Sequence, residues 1–276
     1  MQSKIISETF FIISNYNTDP EQYLKYCSDY LIYDQSTDLS LKDRLKDKYE
    51  KISFVENSGH SISNYFRFFI DNYERLPDYM LLGKGNMIGR HISKEYFDRV
   101  YDNKCFTALY DAPKYLDKRG VAYHLYDGAF LEINNDWYTS AKPFKYFRTY
   151  NELLSFVFKN PIISKWLLFS PGACYIVSKE QVLKYPKVFY ENLKYLVSYS
   201  YFPSEAYHVE RMLTVIFNSN YEINPYMRDL TLFSNKIDEY RFAHKDKSLK
   251  KINRIIMTLI NRYNRFLHLL MIDSHI

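Results

Sequence analysis

The chain has little glycine and little cysteine. Its 276 residues include 7 glycines, where an average share of roughly 7 % would give more than twice that number. The 3 cysteines are odd in number and widely spaced, which disfavours a disulfide framework and a zinc cage. The motifs GxxxxGK[S/T], HExxH and GxSxG are absent. The sequence signatures of a P-loop, a zinc protease and an α/β-hydrolase are therefore missing.

Long apolar runs are missing as well. No stretch reaches the roughly 18 uninterrupted apolar residues of a membrane-spanning helix. Residues 1–15 lack the small-residue cleavage site of a signal peptide. Hydrophobic residues still make up 47 % of the chain and charged residues 25 %, enough for a normal core and against global disorder. We therefore expect a cytoplasmic protein.

The net charge of +5 is concentrated at one end. Nine of the 37 basic residues and four of the 32 acidic residues lie from Lys236 onward, so residues 1–235 hold equal numbers of both. A neutral body argues against a nucleic-acid partner. We predict one domain at 1–235 and a tail at 236–276. Apolar residues at helical spacing, such as Leu259 and Tyr263, predict a basic amphipathic helix. Three surfaces are expected for this helix: the inner face of a membrane, the domain at 1–235, or a second subunit.

The first half alternates short apolar segments with helical ones. Predicted strands are Ile5–Ile13, Tyr30–Tyr33, Ile52–Val55 and Tyr79–Leu82, and the charged segment 40–51 is predicted to be solvated. This alternation predicts a parallel sheet flanked by helices, with ligands at the carboxyl ends of the strands. All four ends carry polar residues, which are expected to line one crevice.

The second half is more mixed. It predicts an irregular strand at Ala122–Ile133, strands at Trp166–Phe169 and Ala173–Val177, and helices at Asn151–Lys159 and after Ser178, Pro186 and Ser204.

Isolated motifs in the chain are weak. Gly83-Lys84-Gly85 with Gly89 resembles a dinucleotide loop but follows the fourth predicted strand, which disfavours nicotinamide binding. Glu205 and His208 have the i, i+3 spacing of metal ligands, yet a second such pair is not visible. Cys174 lies within a predicted strand, where a core residue is expected rather than a nucleophile.

Several segments together are more informative. They are Ser14–Asn17, Ile32–Asp34, Asn57–Gly59, Ile70–Asp78, Gly83–Asn86, Phe169–Ser178 and Glu205–Arg211. In order and spacing they resemble a family of poorly characterised glycosyltransferase-like proteins, many from bacterial surface-polysaccharide loci. The resemblance covers about residues 8–225. It implies an α/β, GT-A-like (Rossmann-like) mixed sheet flanked by helices, with a nucleotide-binding half at 1–110 and an acceptor half at 111–235.

The resemblance also implies a nucleotide-sugar donor and a glycan acceptor. Donor-binding residues are then Asn15, Tyr16, Asn17, Asp34, Asn57, Gly59, Lys84, Gly85, Asn86, Arg90 and His91. The resemblance also implies that Gly172, Ala173 and Tyr175 lie on the acceptor side of the site.

The metal-binding Asp-x-Asp of this fold is replaced here by Gly83-Lys84-Gly85-Asn86. Lys84 can neutralise a phosphate directly, and it can equally be an exposed loop lysine. We assign no metal ligand. Use of Mg²⁺ or Mn²⁺ stays open, with Asp111 as a replacement ligand.

An inverting transfer needs a base for the acceptor hydroxyl. The candidates are Glu205, at the predicted start of a helix, then His208 and Glu210. Each candidate also has a structural alternative. Glu205 can pair with the helix dipole, His208 can be a packed histidine, and Glu210 can form a salt bridge to Arg211. Two other functions stay open: a transferase of another activated group onto polysaccharide, and a catalytically silent binding protein.

Overall fold

The described part of the chain has a mixed α/β architecture. The structure, a computed structural model, describes residues 6–111, 122–124, 128, 130–139, 142–240 and 259. The strands within these residues are β1 Phe10–Asn15, β2 Tyr30–Asp34, β3 Ile52–Phe54, β4 Tyr79–Lys84, β5 Thr107–Ala108, β6 Ala122–His124, β7 Phe130–Ile133, β8 Trp166–Phe169 and β9 Tyr175–Ser178. The helices are α1 Glu21–Leu24, α2 Leu39–Lys48, α3 His60–Asp71, α4 Lys94–Val100, α5 Tyr150–Val157, α6 Lys179–Leu183, α7 Lys187–Val197, α8 Ser204–Asn218 and α9 Leu230–Asp238.

The main sheet of the described residues has the strand order β3-β2-β1-β4-β9-β5. β1 pairs in parallel with β2 and β4, and β2 pairs in parallel with β3. The carboxyl ends of these four strands therefore lie at one edge, as the sequence predicts. The chain runs outward from β1 to β3 and then returns to place β4 on the other side of β1. This reversal is the kind of position where α/β sheets bind ligands.

β9 lies antiparallel between β4 and β5. Because β9 comes from the second half of the chain, the predicted halves 1–110 and 111–235 share one sheet. β8 belongs to a separate sheet with the order β6-β7-β8. The turn from β8 to β9 contains Gly172 and Ala173 at φ values of 95° and 60°. Such left-handed backbone reverses the chain sharply between the two sheets.

Apolar side chains cover both faces of the main sheet. Along β1, Ile12 belongs to one buried cluster while Phe11 and Ile13 belong to another, because alternate residues of a strand point to opposite faces. α3 covers the first face and packs on α7, where the ring centres of Phe66 and Tyr190 lie 5.8 Å apart. The helices α1, α2 and α4 contribute to the second cluster.

Segment 40–51 is mostly exposed, as predicted, and in addition residues 39–48 form the helix α2. Asp38 caps it by accepting a hydrogen bond from the Leu41 N–H at 3.1 Å. Leu41 and Leu45 are buried. Two apolar residues four positions apart are enough to attach this otherwise polar helix to the sheet.

The predicted boundary at 235/236 falls inside α9. Phe233 and Ile237 are buried in the same cluster on the two sides of it, so the packed body extends past residue 235. The predicted tail helix lies outside the described residues, apart from Leu259, which is exposed. None of the helices in the described part of the chain is long and apolar enough to cross a membrane.

Candidate functional site

The predicted crevice lies beyond the carboxyl ends of β1 and β4. Register places Ser14 of β1 opposite Lys84 of β4. We use the term crevice for the space beside Lys84 that is lined by His60, Phe202 and Glu210. It brings together the ends of the parallel strands, the start of α3 and one side of α8.

Lys84 is a buried cation at the end of β4. The residue is 9 % exposed, and its Nζ lies 3.4 Å from His60 Nδ1. Among the described residues, no Asp or Glu oxygen lies within 4.0 Å of this Nζ. Burial lowers the pKa of Lys84, an effect that the Glu210 carboxylate partly opposes. A buried ammonium group without an ion pair is costly unless an anion reaches it.

His60 begins α3 and closes one side of the crevice. It follows Gly59, and both have positive φ values, 58° for His60 and 62° for Gly59. The His60 ring meets the ring of Phe202 edge-on at 4.4 Å. Burial first, and then the charges of Lys84 and Arg90, hold the His60 pKa well below its usual value. The ring is therefore neutral near pH 7, and its Nδ1 can accept a hydrogen bond from Lys84.

The surroundings of Lys84 are predominantly cationic. Arg90 is exposed in the loop after β4. Lys142 lies 4.5 Å from the Phe202 ring centre and 5.3 Å from that of Tyr207. No side chain caps the start of α3, and its first turn contains no acidic residue. Three cations and an uncapped helix start favour an anionic ligand.

Glu210 is the carboxylate in the crevice lining. Its Oε1 accepts a hydrogen bond from the Gly172 N–H at 2.6 Å, and its Oε2 accepts one from Arg211 Nη1 at 3.1 Å. Its side chain is 15 % exposed. The Gly172 contact joins α8 to the turn before β9. Glu210 is therefore held in place by two hydrogen bonds while still facing the crevice.

The part of the crevice lined by His60, Phe202, Tyr207 and Glu210 is narrow. Its volume is about 30 Å³, room for one or two water molecules. This volume is well below that of a typical small-ligand site. The loop that carries Phe202 also carries Tyr201, which is 47 % exposed.

Tyr16 and Tyr201 form the outer rim. Their ring centres are 6.1 Å apart, and both rings are more than 40 % exposed. Of the other predicted donor residues, Asn57 and Asn86 are half-buried in loops at this edge. His91 is buried, with its ring against Gly172.

Asn15 and Asp34 are less accessible than the sequence predicts. Both are fully buried. Asn15 Nδ2 donates hydrogen bonds to Asp34 Oδ1 at 2.8 Å and to the Thr18 carbonyl at 2.7 Å. The Asn17 N–H donates to Ser36 Oγ at 2.7 Å. These side chains tie the loops after β1 and β2 together, so the predicted donor contacts are corrected to a role in shaping the crevice.

Two glycines permit close approaches at this edge. A Cβ on Gly85 would lie 2.0 Å from Asn15 Oδ1. A Cβ on Gly59 would lie 2.8 Å from Ser63 Cβ, and the Gly59 N–H donates to the Ser200 carbonyl at 3.0 Å. Gly85 and Gly59 therefore position the loops rather than contact a ligand through a side chain.

The prediction that Glu205 faces the crevice is wrong. Glu205 is 0 % exposed. Its Oε1 accepts hydrogen bonds from the N–H groups of Lys145 at 2.8 Å, Tyr146 at 2.7 Å and Phe147 at 3.2 Å. Its Oε2 accepts one from the Tyr199 hydroxyl at 2.6 Å. The carboxylate thus joins three chain segments and has no access to an acceptor hydroxyl.

The prediction of His208 as a base is also wrong. His208 is 0 % exposed, with its Nδ1 3.2 Å from the Tyr138 hydroxyl and 3.7 Å from Asp136 Oδ1. Burial and the nearby Arg211 lower its pKa to about 3. Burial raises the pKa of Asp136 to about 6. The helix turns His208 away from the crevice, on to the second sheet.

On the predicted acceptor side, only Gly172 contacts crevice residues. Ala173 is buried. Tyr175 is 0 % exposed, and its hydroxyl accepts a hydrogen bond from the Ser170 N–H at 2.6 Å. The predicted contact of Tyr175 with an acceptor is therefore corrected to a core position.

A buried ion pair was missed at the sequence level. Arg211 contacts Glu132 through Nε at 2.7 Å and Nη2 at 3.0 Å, and its guanidinium lies 3.2 Å from the Tyr138 ring centre. It joins α8 to β7 of the second sheet. Sequence spacing could not pair residues 79 positions apart. The crevice residues His60, Phe202, Tyr207 and Lys142 are likewise not predicted from the sequence, although His60 directly follows the segment Asn57–Gly59.

The described residues do not form a metal cage. They include no group of three or more His, Cys, Asp or Glu side chains arranged to hold a metal ion. Asp111, the predicted replacement ligand, accepts hydrogen bonds from the backbone N–H and the hydroxyl of Ser93. Its oxygens are thus engaged at the start of α4.

Comparison with known proteins identifies the family of this chain. The family described as "Protein of unknown function (DUF3431)" matches residues 12–229. The chain therefore belongs to this family, and the match runs from within β1 through β9 and includes the crevice residues. No curated protein and no solved structure matches the chain.

Proposed function

We propose that this member of the DUF3431 family is a glycosyltransferase that moves a sugar from a nucleotide-activated donor to a glycan acceptor. The observation that carries the proposal is Lys84, a buried ammonium group beside the reversal in strand order, with no carboxylate partner among the described residues. Anionic phosphates bind at this position in α/β sheets. The proposed anion is a nucleoside diphosphate, and the Phe202 side of the narrow crevice must move outward to admit it.

The strand order supports a GT-A-like fold for this chain. The order β3-β2-β1-β4 is that of the first half of a doubly wound nucleotide-binding sheet. The antiparallel β9 then brings the Gly172 turn of the second half beside Lys84. This arrangement puts the proposed donor and acceptor halves on the two sides of one crevice.

In the proposed complex the diphosphate lies between Lys84 and Arg90. The Lys84 ammonium group binds a phosphate oxygen as a point charge, and Arg90 supplies a second cation from the adjacent loop. The start of α3 adds its dipole. Tyr16 and Tyr201, whose rings are exposed at the rim, are placed to stack on the base.

Glu210 is the proposed catalytic base, in place of Glu205. The acceptor hydroxyl oxygen forms a bond to the anomeric carbon while the bond from that carbon to the diphosphate oxygen breaks. The hydroxyl proton passes to Glu210, and the electron pair leaves with the nucleoside diphosphate. Lys84 and Arg90 stabilise the negative charge that develops on the leaving group. None of these steps requires a metal ion. The proposed place of action is the cytoplasm.

The donor site is tested by thermal shift with UDP, GDP, CDP and their sugars at millimolar concentration. We expect at least one nucleotide to raise the Tm of the wild type and to do so in excess EDTA. Lys84→Met should abolish the shift. The control Lys94→Met removes an exposed lysine paired with Asp98 and should keep it. If no nucleotide protects the wild type, the proposed function is wrong.

The chemistry is tested with Glu210→Gln. The variant should bind donor as the wild type does and should lose about 10²–10⁴ in the rate of sugar transfer or donor hydrolysis. Mass analysis of the product identifies the transferred group and separates a glycosyltransferase from a transferase of another activated group. Nucleotide binding without turnover in the wild type would indicate a catalytically silent binding protein.

A further inference from the structure

A second concavity runs along α7, outside the crevice. Its volume is about 490 Å³, within the usual range of small-ligand sites. Glu191, Lys194, Tyr195 and Ser198 line one side of it. They have the i, i+3, i+4, i+7 spacing of a single helix face. We name this concavity the α7 groove.

The α7 groove combines aromatic rings with hydrogen-bonding groups. Tyr195 is 54 % exposed and its ring centre lies 6.1 Å from that of Tyr146. Lys145 Nζ lies 4.9 Å from the Tyr146 ring centre and 5.6 Å from that of Tyr199. The open ring of Tyr195 is an apolar surface with ammonium, carboxylate and hydroxyl groups around it.

The α7 groove is rigid on its opposite wall because of Glu205. The carboxylate fixes the N–H groups of Lys145 and Tyr146 and the hydroxyl of Tyr199, and all three residues line the groove. The buried Glu205 thus positions that wall. A preformed site loses less conformational entropy on binding than one that must be ordered.

The α7 groove leads toward the crevice. From Glu191 to Ser198 the helix rises about 10 Å. The chain then passes Tyr199 and reaches Phe202 in the crevice three residues later, a distance of at most about 11 Å. The Gly59 N–H donates to the Ser200 carbonyl at 3.0 Å, which holds this end of the groove beside the start of α3.

We infer that the α7 groove binds an oligosaccharide, with one end of the saccharide chain directed at the crevice. The apolar face of a sugar ring packs on the exposed Tyr195 ring, and sugar hydroxyl groups pair with Lys194 and Glu191. A length of about 10 Å along α7 takes more than one sugar. As the binding site of the acceptor, this inference rests on the proposed function.

The groove chemistry favours a saccharide over an apolar protein segment. An apolar helix laid in the groove would remove Lys194 and Glu191 from water without replacing their hydrogen bonds. The chain's own segment from residue 241 onward is basic, with seven of its residues Lys or Arg between 241 and 262. It would bring positive charge to Lys145 and Lys194, which is unfavourable.

The inference is tested by titrating the full chain with oligosaccharides of two, four and eight sugars. The probes are the maltose series, the chitin series and hyaluronan fragments, each up to 5 mM (on the order of a weak-site Kd), followed by calorimetry and saturation-transfer NMR. At least one series should bind, and its octamer should bind more tightly than its dimer.

Variants on α7 locate the binding. Tyr195→Ala and Lys194→Met should each weaken the octamer by about tenfold or more, a loss of ~1.4 kcal/mol. Tyr195→Phe should keep most of the affinity because it keeps the ring. The control Lys187→Met, at an exposed position of the same helix, should bind as the wild type does. Nucleotide-induced Tm shifts should be unchanged in all four variants.

Three results would overturn the inference. They are no binding by any octamer, octamer binding that Tyr195→Ala leaves intact, and a dimer of the full chain that Tyr195→Ala dissociates, which would make the groove a subunit interface. Groove-dependent octamer binding without protection by any nucleotide would refute the proposed transferase and leave the oligosaccharide site standing. Nucleotide protection without octamer binding would refute the oligosaccharide site and leave the proposed nucleotide-dependent transferase standing.

Discussion

Replacing Glu205 by Gln separates a structural carboxylate from a catalytic one. The wild-type carboxylate accepts four hydrogen bonds and is fully buried. Bonds to a charged acceptor contribute about 1.5–3 kcal/mol each and neutral ones about 0.5–1.5. The Gln carbonyl can keep the three N–H bonds at reduced strength, while its NH₂ group faces the Tyr199 hydroxyl, which must turn round to accept.

The expected loss follows from these bonds. Four bonds weakened by ~1 kcal/mol each give about 4 kcal/mol, and the lower desolvation cost of a neutral amide offsets part of it. We expect Glu205→Gln to lower the free energy of unfolding by about 2 kcal/mol, or about 4–8 °C in Tm. Glu205→Ala should lose more, because it leaves three buried N–H groups at about 1–3 kcal/mol each.

The assay is urea unfolding followed by circular dichroism, with nucleotide-induced Tm shifts measured on the same samples. The matched control is Glu222→Gln. Glu222 is 62 % exposed and pairs with Lys159, so this change should stay within about 0.5 kcal/mol. If Glu205→Gln is as stable as this control and loses turnover instead, the structural assignment is refuted and the base assignment is restored.

Three further changes are open to the same unfolding assay. Gly85→Ala should lower stability by about 1–3 kcal/mol, because its Cβ would lie 2.0 Å from the nearest side-chain oxygen. Arg211→Met should lower it by about 3–5 kcal/mol, because it leaves the Glu132 carboxylate buried without its partner. Because the His208 pKa is about 3 in the folded protein, the imidazole of His208 is protonated only in the unfolded chain between about pH 6.5 and 3. Stability should therefore fall as pH drops through that window, by about 4 kcal/mol from this group. Asp136, with its pKa raised to about 6, partly offsets the loss, and His208→Gln should flatten the wild-type slope measured from pH 7 to 4.

The first half of the fold could be read from the sequence because its signals are local. The segment Tyr79–Lys84 is apolar, short and followed by Gly85, and it forms β4 with only its end misjudged. α2 was missed for the opposite reason. Leu41 and Leu45 are two apolar residues in a polar segment. They stabilise a helix only because they are buried against the rest of the protein, and a local sequence pattern does not show that contact.

The site could be predicted only where main-chain topology positions it. Lys84 was placed correctly because the strand end determines its location. Glu205 was misplaced because its partners Lys145 and Tyr146 lie about 60 positions earlier, and no local pattern shows which way a helix turns its first residues. Helical spacing shows which residues of α8 share a face, but it does not show which of these faces lies against the crevice.

The late strand β9 also dictates when the sheet can form. Among the described residues, β5 pairs with β9 and with no other strand. Ala108 of β5 and its partner Tyr175 of β9 are separated by about 65 residues, and closing a connection of this length slows folding. A nascent chain that ends near residue 110 exposes β4 as an apolar edge, from Met80 to Leu82, with unpaired backbone groups. Such an edge recruits other strands. Fragments cut between the proposed halves should therefore aggregate, and the main sheet should be complete only after residue 178 has left the ribosome.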